Sequence, residues 1–308
     1  MARMPCSAVL SVFHLNSCYY KYNHRDQCGR GPASSRGVSS LPFGNAVSRG
    51  EIKCSTNFSI FFYRRKRNNI HSVLNKGRKW TDSYWDEFAS LPAIVPKGPI
   101  AIFGLGGGTA ANLMLDLWPS LQLEGWEIDE ILIDKAREHL GLYKIEQRNQ
   151  AGGFLTVRVG DALHPSANVP GGYAGIIVDL FSDGKVLPQL QKAATWLDLH
   201  DRLMPHGRIM VNCGGSSDSA HCAANGNMPP TDGAWVQNST IKALCKAFPG
   251  QLCWKRIPGG ENYLAVTGPT PDLTLWSASV PFELRSSVKQ WRSCKPGEWW
   301  RRMHLPSI

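Results

Sequence analysis

Long hydrophobic runs are absent from this 308-residue sequence. None approaches the roughly 20 apolar residues that a membrane-spanning helix needs, so no membrane association is expected. Acidic residues are nearly missing from the first 70 positions, where Asp26 and Glu51 stand against eleven Lys and Arg. That segment carries +9 of the net +10, and the rest of the chain, with 23 bases and 22 acids, is close to neutral. The basic charge is therefore no property of the body, and nucleic acid is not expected as its partner. No C-x-x-C spacing occurs, the nine Cys are odd in number, and four (Cys6, Cys18, Cys28, Cys54) lie in the basic segment. This argues against a disulfide framework and fits thiols in a reducing compartment. His221 with Cys213 and Cys222 matches no zinc spacing, so no metal site is expected. Internal repeats are lacking too. What is present, 43% apolar and 19% charged residues, is the composition of a globular chain with a sizeable core.

The basic segment contains ten Ser, scattered Arg and the cluster Arg64-Arg65-Lys66-Arg67. Acid-poor, Ser- and Arg-rich composition reads as an organelle transit peptide, chloroplast ahead of mitochondrion. A disordered cytoplasmic tail is the alternative. No alternating strands are expected over residues 1–70. Residues 71–98 form a lead-in, 99–268 the main domain, and 269–308 a Pro- and Trp-containing appendage that is either ordered or loose.

Regular patterning begins at Pro99. Ile100–Phe103 is a short apolar burst ending in Gly, and Thr109–Trp118 follows with apolar residues at helical spacing. Leu121–Glu127 reads as a strand, Glu130–Leu140 as a helix closed by Gly141, and Phe154–Val159 and Ala174–Val178 as strands. Leu187–Leu203 reads as one long helix, Arg208–Asn212 as a strand and Trp235–Ala247 as a helix. Strands alternating with helices at this spacing predict a parallel sheet covered on both faces. Gln251–Ile257 and Asn262–Thr267 flank Pro258-Gly259-Gly260, a turn short enough to force an antiparallel pair.

The loop Gly104-Leu105-Gly106-Gly107-Gly108-Thr109 lies between a strand and a helix, where glycines let a ligand approach the backbone and helix N–H groups face it. The dinucleotide fingerprint wants a third glycine where Thr109 stands, which favours a nucleoside ligand without a pyrophosphate. Glu127 ends the next strand and can accept from both ribose hydroxyls. Asp129 reads as a helix cap, and Glu124, on the opposite face from Glu127, is expected to be solvated. Asp161 and the backbone of Ala162 suit an adenine edge, with a helix cap as the alternative for Asp161. Asp179 ends the fourth strand and faces the ligand crevice as a candidate general base, unless it is a structural carboxylate. Asp183 is a candidate substrate ligand or part of an ordinary turn.

These segments resemble the spermidine synthase-like branch of the class I S-adenosylmethionine-dependent transferases over about Asn69–Thr267. The resemblance rests on Ile100–Ala110, Glu124–Leu140 with its W-E-I-D-E string, Val159–Leu163, Tyr173–Gly184 and Arg202–Asn212. It implies a Rossmann-like α/β fold: a mostly parallel seven-stranded sheet with a C-terminal antiparallel hairpin and helices on both faces. It also implies Gly104, Gly106 and Gly108 at the methionine end of the cofactor, Glu127 at the ribose, Asp161 and Ala162 at the adenine, and Asp179 at the catalytic position. The implied cofactor is S-adenosylmethionine or its decarboxylated form, and the implied partner a small-molecule substrate, an amine among the candidates. A homodimer is the assembly to test. Three departures stand out. Aminopropyltransferases carry an Asp in the glycine loop, for the donor's amino group, where this chain has Gly107. They carry D-S-S-D-P after the fourth strand, where Asp183 comes one residue later without Pro. They also begin with a β-hairpin domain. The expectation is a spermidine synthase-like transferase, a methyltransferase first, with true aminopropyl transfer or a non-catalytic nucleoside-binding scaffold as alternatives.

Overall fold

A computed structural model of the protein describes residues 18–21, 50–54, 58–63, 70–75, 77–182, 184–215, 234–258, 260 and 262–294. Strands β1 (Cys18–Lys21), β2 (Gly50–Cys54), β3 (Phe58–Tyr63) and β4 (Ile70–Asn75) form an antiparallel sheet in sequential order. Their register sets Gly50 opposite Tyr63 and Phe58 opposite Asn75. This corrects the expectation that residues 1–70 carry no strands. Phe58-Ser59-Ile60-Phe61-Phe62-Tyr63 is rich in β-branched and aromatic residues, but the neighbouring basic cluster dominates a reading by composition. A boundary at residue 70 cuts through the β3–β4 hairpin. The expected leader covers residues 1–70, of which 1–17, 22–49, 55–57 and 64–69 lie outside the described residues.

Beyond α1 (Tyr84–Phe88), the chain enters the main sheet at β5 (Ile100–Phe103). It continues through α2 (Thr109–Leu117), β6 (Gln122–Glu127), α3 (Glu130–His139), α4 (Leu142–Glu146), β7 (Phe154–Val159) and β8 (Tyr173–Val178). A two-residue hairpin, β9 (Phe181–Ser182) and β10 (Lys185–Val186), precedes α5 (Ala193–His200) and β11 (Leu203–Asn212). The long helix expected over Leu187–Leu203 is in fact a 3₁₀ turn, Pro188–Gln191, followed by the eight-residue α5. The Trp196 indole N–H bonds the Leu190 carbonyl at 2.9 Å across the break, leaving no orphan there. Helix α6 (Ser239–Ala247) leads to β12 (Leu252–Arg256) and β13 (Tyr263–Thr267). With β14 (Arg292–Ser293) at one edge, the sheet order is β14-β12-β13-β11-β8-β5-β6-β7, with β5, β6, β7, β8 and β11 parallel and the β12–β13 hairpin antiparallel.

Alternation splits each central strand between two cores. Ile100 and Ile102 of β5 pack into one layer, with Met114, Ile133 and Trp276. Ala101 and Phe103 pack into the other, with Trp196, Leu199, Ile241 and Leu244. Because both faces are covered, β5 and β8 are buried along their whole length.

The C-terminal region belongs to this core. Helices α7 (Leu273–Ser279) and α8 (Arg285–Val288) are followed by β14 (Arg292–Ser293), which pairs with β12 and extends the expected seven strands by an eighth. Trp276 and Trp291 are stacked and buried, and the Trp276 indole donates to the Ser90 carbonyl at 2.9 Å. Lys255 of β12, 1% exposed, pairs with Glu87 of α1 at 2.9 Å and also donates to Ser287, whose hydroxyl bonds Glu87. Over residues 269–294 the loose-appendage alternative is thereby corrected, because large aromatic side chains from this segment fill the sheet's outer face. Residues 295–308 lie outside the described set.

Candidate active site

The sheet's strand order reverses between β5 and β8, since the chain runs outward through β6 and β7 on one side and β11 on the other. Ligands of open parallel sheets bind at the carboxyl ends of strands beside such a switch point. Four segments meet here: the loop after β5, the end of β6, the end of β8 and the end of β11.

Gly104 leaves β5 with φ +85° and lies so close to the Asp179 backbone that a Cβ would sit 2.3 Å from its carbonyl oxygen. Only glycine accommodates both the left-handed conformation and that approach. Gly106 donates its N–H to Glu127 Oε2 at 2.9 Å. Gly107 donates to the buried Ser72 hydroxyl at 2.7 Å. Thr109 exchanges two hydrogen bonds with the Val73 backbone, donating at 3.0 Å and accepting at 2.9 Å. Strand β4 is thus pinned on the glycine loop, a contact that sequence reasoning missed. These bonds also correct the expectation of N–H groups open to a ligand at this turn, since Gly106 and Gly107 already serve Glu127 and Ser72. A pyrophosphate would have to displace a carboxylate of its own sign, which agrees with a nucleoside ligand lacking one.

Glu127 is half-buried, and its other oxygen accepts from the N–H groups of Ile128 and Asp129 at 2.9 and 3.1 Å. Three of about four acceptor positions on an ionised carboxylate are used, and the Gly106 bond is the one a ligand hydroxyl would exchange with. Asp129 caps α3 by accepting from Leu132 N–H at 3.1 Å. Glu124 corrects the expectation of a solvated residue. It is 8% exposed, and its Oε1 accepts from the Tyr173 hydroxyl at 2.5 Å and the Trp126 indole at 2.8 Å. It fixes Trp126 beside Gly160, at the start of the next loop.

Asp161 is exposed and accepts from Leu163 N–H at 2.8 Å, a local turn. Ala162 is buried, and its carbonyl accepts from Arg202 at 3.0 Å. Arg202 also donates to the carbonyls of Leu163 and Ala167 at 2.9 and 3.3 Å, so one buried guanidinium shapes the whole loop. No pattern around Arg202 signals this role.

Asp179 sits where expected, at the end of β8. Asn212, at the end of β11, donates its amide to Asp179 Oδ1 at 2.9 Å, and the side chains of Tyr84 and Trp85 also hydrogen-bond this carboxyl. Burial outweighs these bonds and pushes its pKa up from 3.8 to about 6, with the Glu127 charge adding to the rise. Burial and the Asp179 charge hold Tyr84 well above its ordinary value, so it stays a phenol. Asp86 anchors this corner by accepting from the Thr81 hydroxyl at 2.7 Å and from Asp82 N–H at 2.8 Å. Tyr84, Trp85 and Asn212 were missed in sequence. Only the Y-W-D string in the lead-in could have flagged the first two. Asp183 lies outside the described residues, as do His221 and Cys222. Among the described residues no group of three His, Cys, Asp or Glu side chains is placed to hold a metal, and no helix is long and apolar enough to cross a membrane.

The architecture is that of a Rossmann-like α/β sheet, with a carboxyl group at the tip of β8 beside a glycine loop capped by an acid. In fold it is similar to solved spermidine synthases. A probable spermidine synthase from Corynebacterium glutamicum superposes with TM-score 0.58 over 87% of this chain and 94% of its own, at 16% identity. The spermidine synthase of Thermotoga maritima superposes with TM-score 0.53 over 85% and 82%, at 13% identity. In sequence, a probable polyamine aminopropyl transferase of Bifidobacterium longum is 26% identical over 194 residues, 59% of this chain. The match spans 41% of that relative's length. No family model matches the chain.

Proposed function

We propose that this protein is a spermidine synthase-like transferase that takes an alkyl group from S-adenosylmethionine or its decarboxylated form. The observation that carries the reading is the Asp179 carboxyl, held by Asn212, Tyr84 and Trp85 beside the Glu127-capped loop. The residues fit an adenosyl donor. Glu127 offers a carboxylate to a ribose diol, Ala162 and Asp161 border the adenine side, and the Gly104–Gly108 turn stands at the methionine end. The donor supplies an electrophilic carbon beside its sulfonium. Asp179, with a pKa near 6, is ionised at neutral pH and can take the proton that a nucleophilic acceptor loses.

Methyl transfer is favoured over aminopropyl transfer by Gly107. A Cβ there would lie 2.3 Å from Leu140 Cδ1 and 2.8 Å from Ser72 Cβ, so an acidic side chain to hold a donor amine would have to push Leu140 and Ser72 aside. The acceptor is a small molecule, with amines first to test because the charge beside Tyr84 is negative. Calorimetry with both donors, followed by turnover of labelled donor in a metabolite extract, tests the reading. Donor binding without any turnover would leave the scaffold alternative. The leader reading joins the proposal, with an address to a plastid carried within residues 1–70. A reporter carrying those residues should enter chloroplasts, and a diffuse cytosolic signal would remove that part.

A further inference from the structure

Two cysteines from distant parts of the chain meet at the edge of the main sheet. Cys245, in the last turn of α6, has its Sγ 3.1 Å from Sγ of Cys294, which directly follows β14. Each backbone is held independently. The Cys294 N–H bonds the Leu252 carbonyl at 2.7 Å, and α6 is capped by Asn238, whose amide also donates to the Cys213 and Gly214 carbonyls. The two sulfurs are therefore brought together by elements fixed for other reasons, and a disulfide bond would require only about 1 Å of further approach. The other nearby thiols have different contacts: Cys213 Sγ lies 3.8 Å from the Val211 carbonyl, and Cys253 faces the Thr270 and Ser293 hydroxyls. Cys245 is the more exposed of the pair, Cys294 being 6% exposed, so an oxidant reaches Cys245 first.

We infer that Cys245 and Cys294 form a reversible dithiol–disulfide site that staples the C-terminal edge of the sheet. The oxidant is a small-molecule disulfide. The Cys245 thiolate attacks it and releases one thiol, and Cys294 then attacks the mixed disulfide and releases the second. Two protons and two electrons leave the protein, and two thiols form. The bridge closes a loop that holds β12, β13, α7, α8 and Lys255, whose pairing with Glu87 ties this region to the helix carrying Tyr84.

The full chain is equilibrated in glutathione buffers from reducing to oxidising, mapped by peptide mass spectrometry without reduction, and melted. Oxidation is expected to give one bridge, Cys245–Cys294, with the loss of two hydrogens. It should also raise Tm by roughly 5–10 °C, as expected for a loop of this length, and dithiothreitol should reverse the rise. Cys245→Ser and Cys245→Ala should each abolish both effects while melting like the reduced wild type. A bridge between other cysteines, a glutathione adduct that stays on Cys245 without closing, or a Tm rise that persists in the Cys245 variants would overturn the proposal.

Discussion

Asp179→Asn separates a catalytic carboxylate from a structural one, because the two roles shift stability in opposite directions. The substitution keeps the side chain's shape and its acceptor oxygen for Asn212, now at 2.9 Å from Asp179 Oδ1. It removes the charge, and its amide nitrogen can no longer accept from Tyr84 or Trp85. The folded pKa near 6 lies above the ordinary 3.8. The native state therefore binds this proton more tightly than the unfolded chain does. The stability it contributes is present below pH 4 and is lost as pH rises through about 6. A rise of about two units corresponds to roughly 3 kcal/mol lost across that window. About 1 kcal/mol is returned in the variant through one weakened hydrogen bond. The variant should thus be more stable than wild type at pH 7.5, by about 1–2 kcal/mol, and no more stable at pH 4. Thermal melts at the two pH values measure this. Donor affinity should stay within a few-fold and turnover should fall by about 10²–10⁴, the usual worth of a general base. Wild-type turnover should rise with pH through about 6 and then level off. A variant less stable than wild type at pH 7.5, with donor binding lost as well, would refute the reasoning and make Asp179 structural.

Three further outcomes follow from the geometry. Glu127→Ala should weaken donor binding by about 1.5–3 kcal/mol, or roughly 10- to 150-fold in Kd, since hydrogen bonds to a charged acceptor are lost. Calorimetry on the folded variant checks this, and an unchanged Kd contradicts the ribose role. Gly107→Asp should destabilise the protein by about 2 kcal/mol through overpacking against Leu140 and Ser72, without improving affinity for decarboxylated donor. Urea titration and calorimetry test the two halves separately. Lys255→Met should cost about 3–5 kcal/mol because it strands the buried Glu87 carboxylate, and adding Glu87→Gln should recover part of the loss. A denaturation series over the two single variants and the double variant reads this out.

The body of the fold was legible because its signals are local. Ile100–Phe103 shows a buried strand by itself, and its continuation through Gly104 to Gly108 marks the turn that follows. Glu127 and Asp179 were legible because each ends such a strand, and strand ends face the crevice. The remainder depends on contacts between segments far apart in sequence. Nothing near Asn212 says that its amide meets Asp179, or that Tyr84 and Trp85 come from the lead-in to meet the same carboxyl. Lys255 in a strand reads as an edge or solvated residue until Glu87 and Ser287 arrive from two other segments to neutralise it. Glu124 was misread for the same reason, since its partner Tyr173 lies on another strand. The N-terminal strands were hidden by composition. Their basic, Ser-rich surroundings suggest a leader, and their pairing reaches past residue 70 to β4.

The central claim is that the crevice between the glycine loop and Asp179 holds an adenosyl sulfonium donor. Calorimetric titration of the full chain with S-adenosylmethionine, its decarboxylated form and NAD tests it most directly. Saturable one-to-one binding of an adenosyl donor is expected, stronger for S-adenosylmethionine, weakened in Glu127→Ala and preserved in Asp179→Asn, with no heat from NAD. Binding of NAD in preference to either donor, or silence from both donors with a folded protein, would contradict it.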